Sequence, residues 1–76
     1  MKSKSKLKPL TPKQKSILVY VLTKTVENGY QPSQREIADH FNVTPHVVAG
    51  QLRACEKKGY IQLSGFGRGI KFIKEI

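Results

Sequence analysis

Hydrophobic positions in this chain recur first at helical spacing and then in alternation. Between Thr11 and Gly29, Ile17, Leu18, Val21, Leu22 and Val26 follow the spacing of one helix face. Thr11 is a good N-cap type, and Pro12 suits the first helical position, where its missing N–H has no intrahelical partner to lose. Gly29 stands where a left-handed residue closes a helix. Tyr30-Gln31-Pro32 reads as a short extended connection. Ser33 and Glu36 then carry the signature of a capping box ahead of Ile37, Ala38 and Phe41, predicting a short second helix over about 34–41. Asn42 and Val43 make a tight turn, the asparagine tolerating the left-handed conformation and the valine plugging the space between the flanking helices.

The next stretch, "TPHVVAGQL", pairs two β-branched valines with a proline and a glycine, all poor helix-interior residues. Thr44-Pro45 nevertheless repeats the Thr11-Pro12 start signal, and Val48, Leu52 and Cys55 fall on one side of a helix running to Gly59, about 44–58. At 100° per residue those three cluster within about 60°, and the opposite side holds His46, Gly50, Arg53 and Lys57. After Gly59, "YIQLS" alternates as a half-buried strand does, "GFGRG" is turn-rich, and "IKFI" alternates again, which predicts a β-hairpin. The expected fold class is mainly α with a small β-hairpin: a winged helix-turn-helix over residues 10–76, three helices followed by a two-stranded wing.

With 76 residues the chain has room for one small domain, which buries only about 60% of its unfolded surface. Fourteen Lys and Arg against five Asp and Glu give a formal charge of +9, the footprint of a polyanion partner. Nucleic acid leads, with an anionic membrane second. The longest apolar run, Ile17 to Leu22, is six residues, and no helix carries lysines along its whole polar face, so no membrane partner is expected. The basic N-terminus runs into Pro9 and a polar segment, not the apolar core of a secretory signal, and a cytoplasmic, nucleoid-associated location follows. Cys55, alone, cannot make an internal disulfide, in keeping with a reducing compartment. Residues 1–9 alternate lysine with small or polar residues and read as a flexible basic arm. Lys2, Lys4, Lys6 and Lys8 either lie along phosphates or only solvate the tail.

In order and spacing, "LTPKQKSIL", "GYQPSQREIADHFNVTPHVVAGQL", "KKGYIQL" and "GRGIKFI" resemble the N-terminal DNA-binding domain of the LexA repressor, over about residues 10–73. The resemblance implies a winged helix that places its third helix in the major groove. By position it puts base-reading residues at Thr44, His46, Val47, Ala49 and Gly50, and backbone contacts at Lys13, Lys57 and the wing. The chain departs from the family in three places: a shorter turn between helices 2 and 3, Ala49-Gly50 in place of the acidic pair common in the third helix, and a shorter wing. Family operator sequences are therefore not carried over. LexA-type repressors also carry a protease and dimerisation domain, for which this sequence has no room. The expectation is a stand-alone small regulator of the sort mobile elements and viruses encode, or a fragment, with no self-cleavage implied.

The residues themselves leave some roles open. His46 can donate to guanine, accept from a base amine, or contact a phosphate near the helix start. Val47 can touch a thymine methyl or pack on the helix 2 turn. Gln51 can pair with adenine but lies nearer the core edge, below His46 in rank. Arg53 shares the outward face. Thr44 spends its hydroxyl as N-cap, leaving its methyl or N–H for DNA. At the wing, Arg68 can enter a minor groove or meet a phosphate, with Phe66 at the same tip. Lys57, Lys58, Lys71 and Lys74 suit backbone contacts. Gly50 reads as a thin spot that lets the helix approach DNA closely.

Other motifs fail on context. The GxGxG pattern of the wing precedes a strand, whereas a nucleotide loop needs a helix N-terminus there. Asn42-Val43-Thr44 is a glycosylation sequon without a secretory signal. His40, His46 and Cys55 lack ligand spacing, so neither metal nor cofactor is expected, and Cys55 reads as a core residue. No nucleophile, base and orienting acid converge, which argues against an enzyme. The function expected is sequence-specific binding of double-stranded DNA as a transcriptional regulator, in the sense of a repressor. The alternatives are a non-sequence-specific accessory of replication or recombination, single-strand binding included, or a winged-helix protein-interaction module. Without a heptad or spare apolar helix, the chain is expected to be a monomer that pairs on a palindromic or tandem site.

Overall fold

A computed structural model of the chain describes residues 9–64 and 69–74. The arm lysines Lys2, Lys4, Lys6 and Lys8, and the wing-tip residues Phe66 and Arg68, lie outside the described residues. All five predicted elements form: α1 (Pro12–Asn28), α2 (Gln34–Phe41), α3 (Pro45–Lys57), β1 (Ile61–Leu63) and β2 (Ile70–Phe72).

Local chemistry sets the helix ends. The Thr11 hydroxyl accepts from Gln14 N–H at 3.2 Å while Gln14 Oε1 accepts from Thr11 N–H at 3.1 Å, a reciprocal capping box that the sequence reading credited only to threonine and proline. Ser33 and Glu36 make the predicted box at α2, with bonds of 3.1 and 2.7 Å. Thr44 caps α3 on one side only, accepting from Val47 N–H at 3.3 Å, because a valine at that position has nothing to return. At the other ends, Gly29, Asn42 and Gly59 adopt φ of 82°, 59° and 88°. After α2, Val43 N–H reaches Ala38 O and Asn42 N–H reaches Asp39 O. After α3, Tyr60 N–H reaches Cys55 O and Gly59 N–H reaches Glu56 O. Both are the paired bonds of a Schellman closure, and they turn the chain sharply out of each helix.

Ile17, Leu18 and Val21 of α1, Ile37 and Ala38 of α2, Val48, Leu52 and Cys55 of α3, and Ile61 and Ile70 of the hairpin form one buried core. Val43 packs against it as the expected plug. Leu22 and Val26 do not join it: they are 37% and 84% exposed. Each four-residue step from Leu18 turns about 40° around the helix, which carries Leu22 and then Val26 off the core-facing stripe. Gln14 completes that stripe instead and is buried. Burial raises the pKa of the Cys55 thiol, although the nearby Lys58 cation pulls the other way, so the thiol stays neutral as the core requires.

The strands pair antiparallel with Ile61 opposite Phe72, Gln62 opposite Lys71 and Leu63 opposite Ile70. Side-chain alternation buries the Ile61 and Ile70 face and exposes Gln62 and Lys71. Polar side chains hold both outer edges of this short hairpin. Gln31 donates to Ile70 O at 2.6 Å and accepts from Ile70 N–H at 3.0 Å, standing in for a third strand, while Glu56 accepts from Leu63 N–H at 2.9 Å. The three helices and the hairpin make a winged helix-turn-helix.

Candidate nucleic-acid interface

The position of α3 follows from its own sequence: Val48, Leu52 and Cys55 are fully buried, so the opposite side must face outward. His46, Gly50, Arg53 and Lys57 all lie there and are exposed. Val47 on one flank is 40% exposed, a large apolar residue left in solvent, and Ala49 on the other flank is half-buried. Thr44 and Pro45 are exposed at the start of the helix. The structure thus gathers Thr44, His46, Val47, Ala49, Gly50 and Arg53 on one accessible surface of roughly two and a half turns.

Nothing in the protein requires glycine at position 50. A Cβ built there meets no atom within 4 Å, and the residue has no positive φ. The situation differs at Gly69, beneath the wing, where a Cβ would overlap the Ser64 side chain. There the neighbour excludes a larger residue. At Gly50 the only consequence inside the protein is a loss of about 1 kcal/mol of helix propensity relative to alanine.

The electrostatics are one-sided. Glu56 is the only acid in α3, and it lies at the end of the helix with its carboxylate on the Leu63 N–H. Among the described residues the only ion pair is Lys24 with Glu27, on α1, so no cation of α3 is neutralised by a carboxylate. Lys13, in the first turn of α1, and Lys71, on the outward strand face, are exposed. The N–H groups opening α3 add partial positive charge beside His46.

Two candidates are engaged inside the protein in ways that spacing did not reveal. Gln51 is half-buried, and its Oε1 accepts from Gln14 Nε2 at 3.1 Å. Lys58 is half-buried too, and its ammonium donates to Gln14 Oε1 at 2.6 Å and to Pro9 O at 3.1 Å. The residues that sequence reasoning missed are therefore Gln14, Gln31 and Glu56. For Gln14 a signal existed, since Thr11-x-x-Gln14 is a capping-box spacing like Ser33-x-x-Glu36. Gln31 reaches backbone groups thirty-nine residues along the chain and Glu56 one seven residues on, across the turn into the hairpin, and no capping or periodic pattern marks either.

A model of the LexA DNA binding domain family matches residues 7–67. The LexA repressor of Thermotoga neapolitana is 42% identical over 71 residues, which cover 92% of this chain and 36% of that protein. The LexA repressor of Thermotoga maritima strain MSB8 is 41% identical with the same two coverages. That of Thermosipho africanus is 46% identical over 55 residues, 72% of this chain and 28% of that protein. This chain spans about a third of the length of the curated relatives it matches. With most of its length matched by that one model, and three helices and a hairpin in the order described, the chain belongs to the LexA DNA binding domain family.

Proposed function

We propose that the chain binds duplex DNA sequence-specifically and acts as a transcriptional repressor by occluding promoters in a nucleoid-associated setting. The observation that carries this reading is the α3 surface. A helix sacrifices propensity at Val47 and Gly50, exposes them beside His46 and Arg53, and has its single acid bonded to the hairpin. In the major groove, Arg53 and His46 can donate to guanine N7 and O6, and Val47 can cover a thymine methyl. Thr44 and Ala49 line the same surface, while Lys13, Lys57 and Lys71 hold phosphates, and Arg68 and Phe66 contact the backbone or minor groove. Lysines 2, 4, 6 and 8 add sequence-independent attraction. The chain acts as a monomer that pairs on a palindromic or tandem site.

Specific and non-specific binding separate in one experiment. Sites are selected from random duplex DNA, and His46→Ala and Val47→Ala are titrated against a selected and a scrambled duplex. Each variant is expected to lose about fivefold or more on the selected site, since a good base contact is worth about 1–3 kcal/mol, and to bind scrambled DNA as before. Equal behaviour on both duplexes would support the non-specific accessory reading instead.

A further inference from the structure

The buried amide of Gln14 bridges the start of α1 to the exposed edge of α3. Its orientation is fixed by its neighbours: Oε1 faces two donors, Thr11 N–H and the Lys58 ammonium, so Nε2 must point the other way. There it meets Gln51 Oε1. Thr11, Gln14, Gln51, Lys58 and the Pro9 carbonyl form one connected polar cluster, and no described buried side-chain N or O atom lacks a partner.

The geometry along α3 gives this cluster a purpose. Gln51 and Lys58 are seven residues apart and so lie on nearly the same row of the helix, about 10 Å from one end to the other. Val47 lies one turn earlier on that row. Gripping a helix at two points along one row resists rolling about its axis, which the apolar contacts of Val48, Leu52 and Cys55 alone resist less well because they are non-directional. Roll is the coordinate that decides whether His46, Gly50 and Arg53 meet base edges or phosphates. The same bond turns Gln51 Oε1 toward α1, and a bidentate adenine contact needs that oxygen.

We infer that Gln14 is a positioning residue that sets the roll of α3 through Gln51, and that Gln51 serves sequence recognition by holding the helix instead of reading a base. This rests on the proposed reading of duplex DNA by α3.

The decisive variants are Gln14→Glu and Gln51→Met. Glutamate keeps both acceptor bonds of Gln14, to Thr11 N–H and Lys58, and is favoured at a helix start, so the fold is retained. The Nε2 donor is lost, but Gln51 can turn its amide over and donate its own Nε2–H to the new carboxylate, so a tie between the two helices is kept. Selection from random duplex DNA is run first on the unaltered chain, and failure to recover any preferred site there defeats the DNA-reading proposal itself. Given a site, Gln51→Met is expected to bind it about fivefold to tenfold more weakly, the range of one net hydrogen bond, while Gln14→Glu, which keeps the tie with its direction reversed, retains most of the affinity. Binding to scrambled duplex should change by less than about twofold, and the preferred base at every position should stay the same. The double variant should be no weaker than Gln51→Met, because that change alone already removes the tie. A double variant weaker than Gln51→Met, loss of preference at a single position in Gln51→Met, or unchanged affinity in Gln51→Met would each overturn the inference.

Discussion

Val47 occupies the third position of α3, where α1 carries Gln14 and α2 carries Glu36, each returning a bond to its N-cap. The chain follows the capping rule twice and breaks it at the helix whose surface is proposed to meet DNA, the sort of local inconsistency expected where function overrides stability. Val47→Gln should complete the box and raise unfolding free energy by about 0.5–1 kcal/mol, seen as a higher Tm, while weakening binding to a selected site about tenfold. A variant that gains stability and keeps full affinity would show that Val47 reads nothing. Gly50 bears the same logic. With open space around a built Cβ, Gly50→Ala should stabilise by about 0.5–1 kcal/mol in denaturant titration. If the helix backbone approaches DNA closely there, affinity should fall, and more steeply for Gly50→Glu, which adds length and a charge repelled by phosphate. A folded Gly50→Glu chain that binds the same site equally well would contradict the close approach.

Between elements, the apolar pattern was legible and the polar ties were not. The spacing of Ile37, Ala38, Val48, Leu52 and Cys55 located α2 and α3 because periodicity reports the face a helix buries. The same pattern overreached at Leu22 and Val26, since it cannot tell how far around α1 the core extends. Gln31 was legible only as part of an extended link, yet it pairs with both backbone groups of Ile70, thirty-nine residues away. Gln31→Leu should therefore leave those groups unpaired and cost about 1–3 kcal/mol of stability, read by thermal unfolding. Cys55 offers a test of packing by pH. Its folded pKa is raised by burial, so the native thiol keeps its proton at pH values where the unfolded one has lost it. Stability from this group is full below the unfolded thiol range, about 8.5, and falls as pH rises from there through the folded pKa, by at most about 1.4 kcal/mol per unit. Cys55→Ala should lack that alkaline component.

At the scale of the molecule, a formal charge of +9 guarantees attraction to any polyanion, so affinity alone says little about recognition. Lys57→Ala should weaken selected and scrambled duplexes alike and reduce the slope of log affinity against log salt by about 0.9, as expected when one phosphate contact is lost. What distinguishes a sequence reader is the α3 surface: its candidates were legible in the sequence because Thr44-Pro45 fixes where the helix starts and hence which residues face outward. The inward engagement of Gln51 and Lys58 was not legible, since it depends on a glutamine in another helix. The central claim is that this exposed face discriminates among bases. Its most direct test is a titration of the unaltered chain against a site selected from random duplex DNA and against a scrambled duplex of equal length, at one fixed salt concentration near 0.15 M. Base readout predicts a preference of about a hundredfold or more for the selected site. Affinities within about threefold of each other would contradict it, leaving only charge-driven binding.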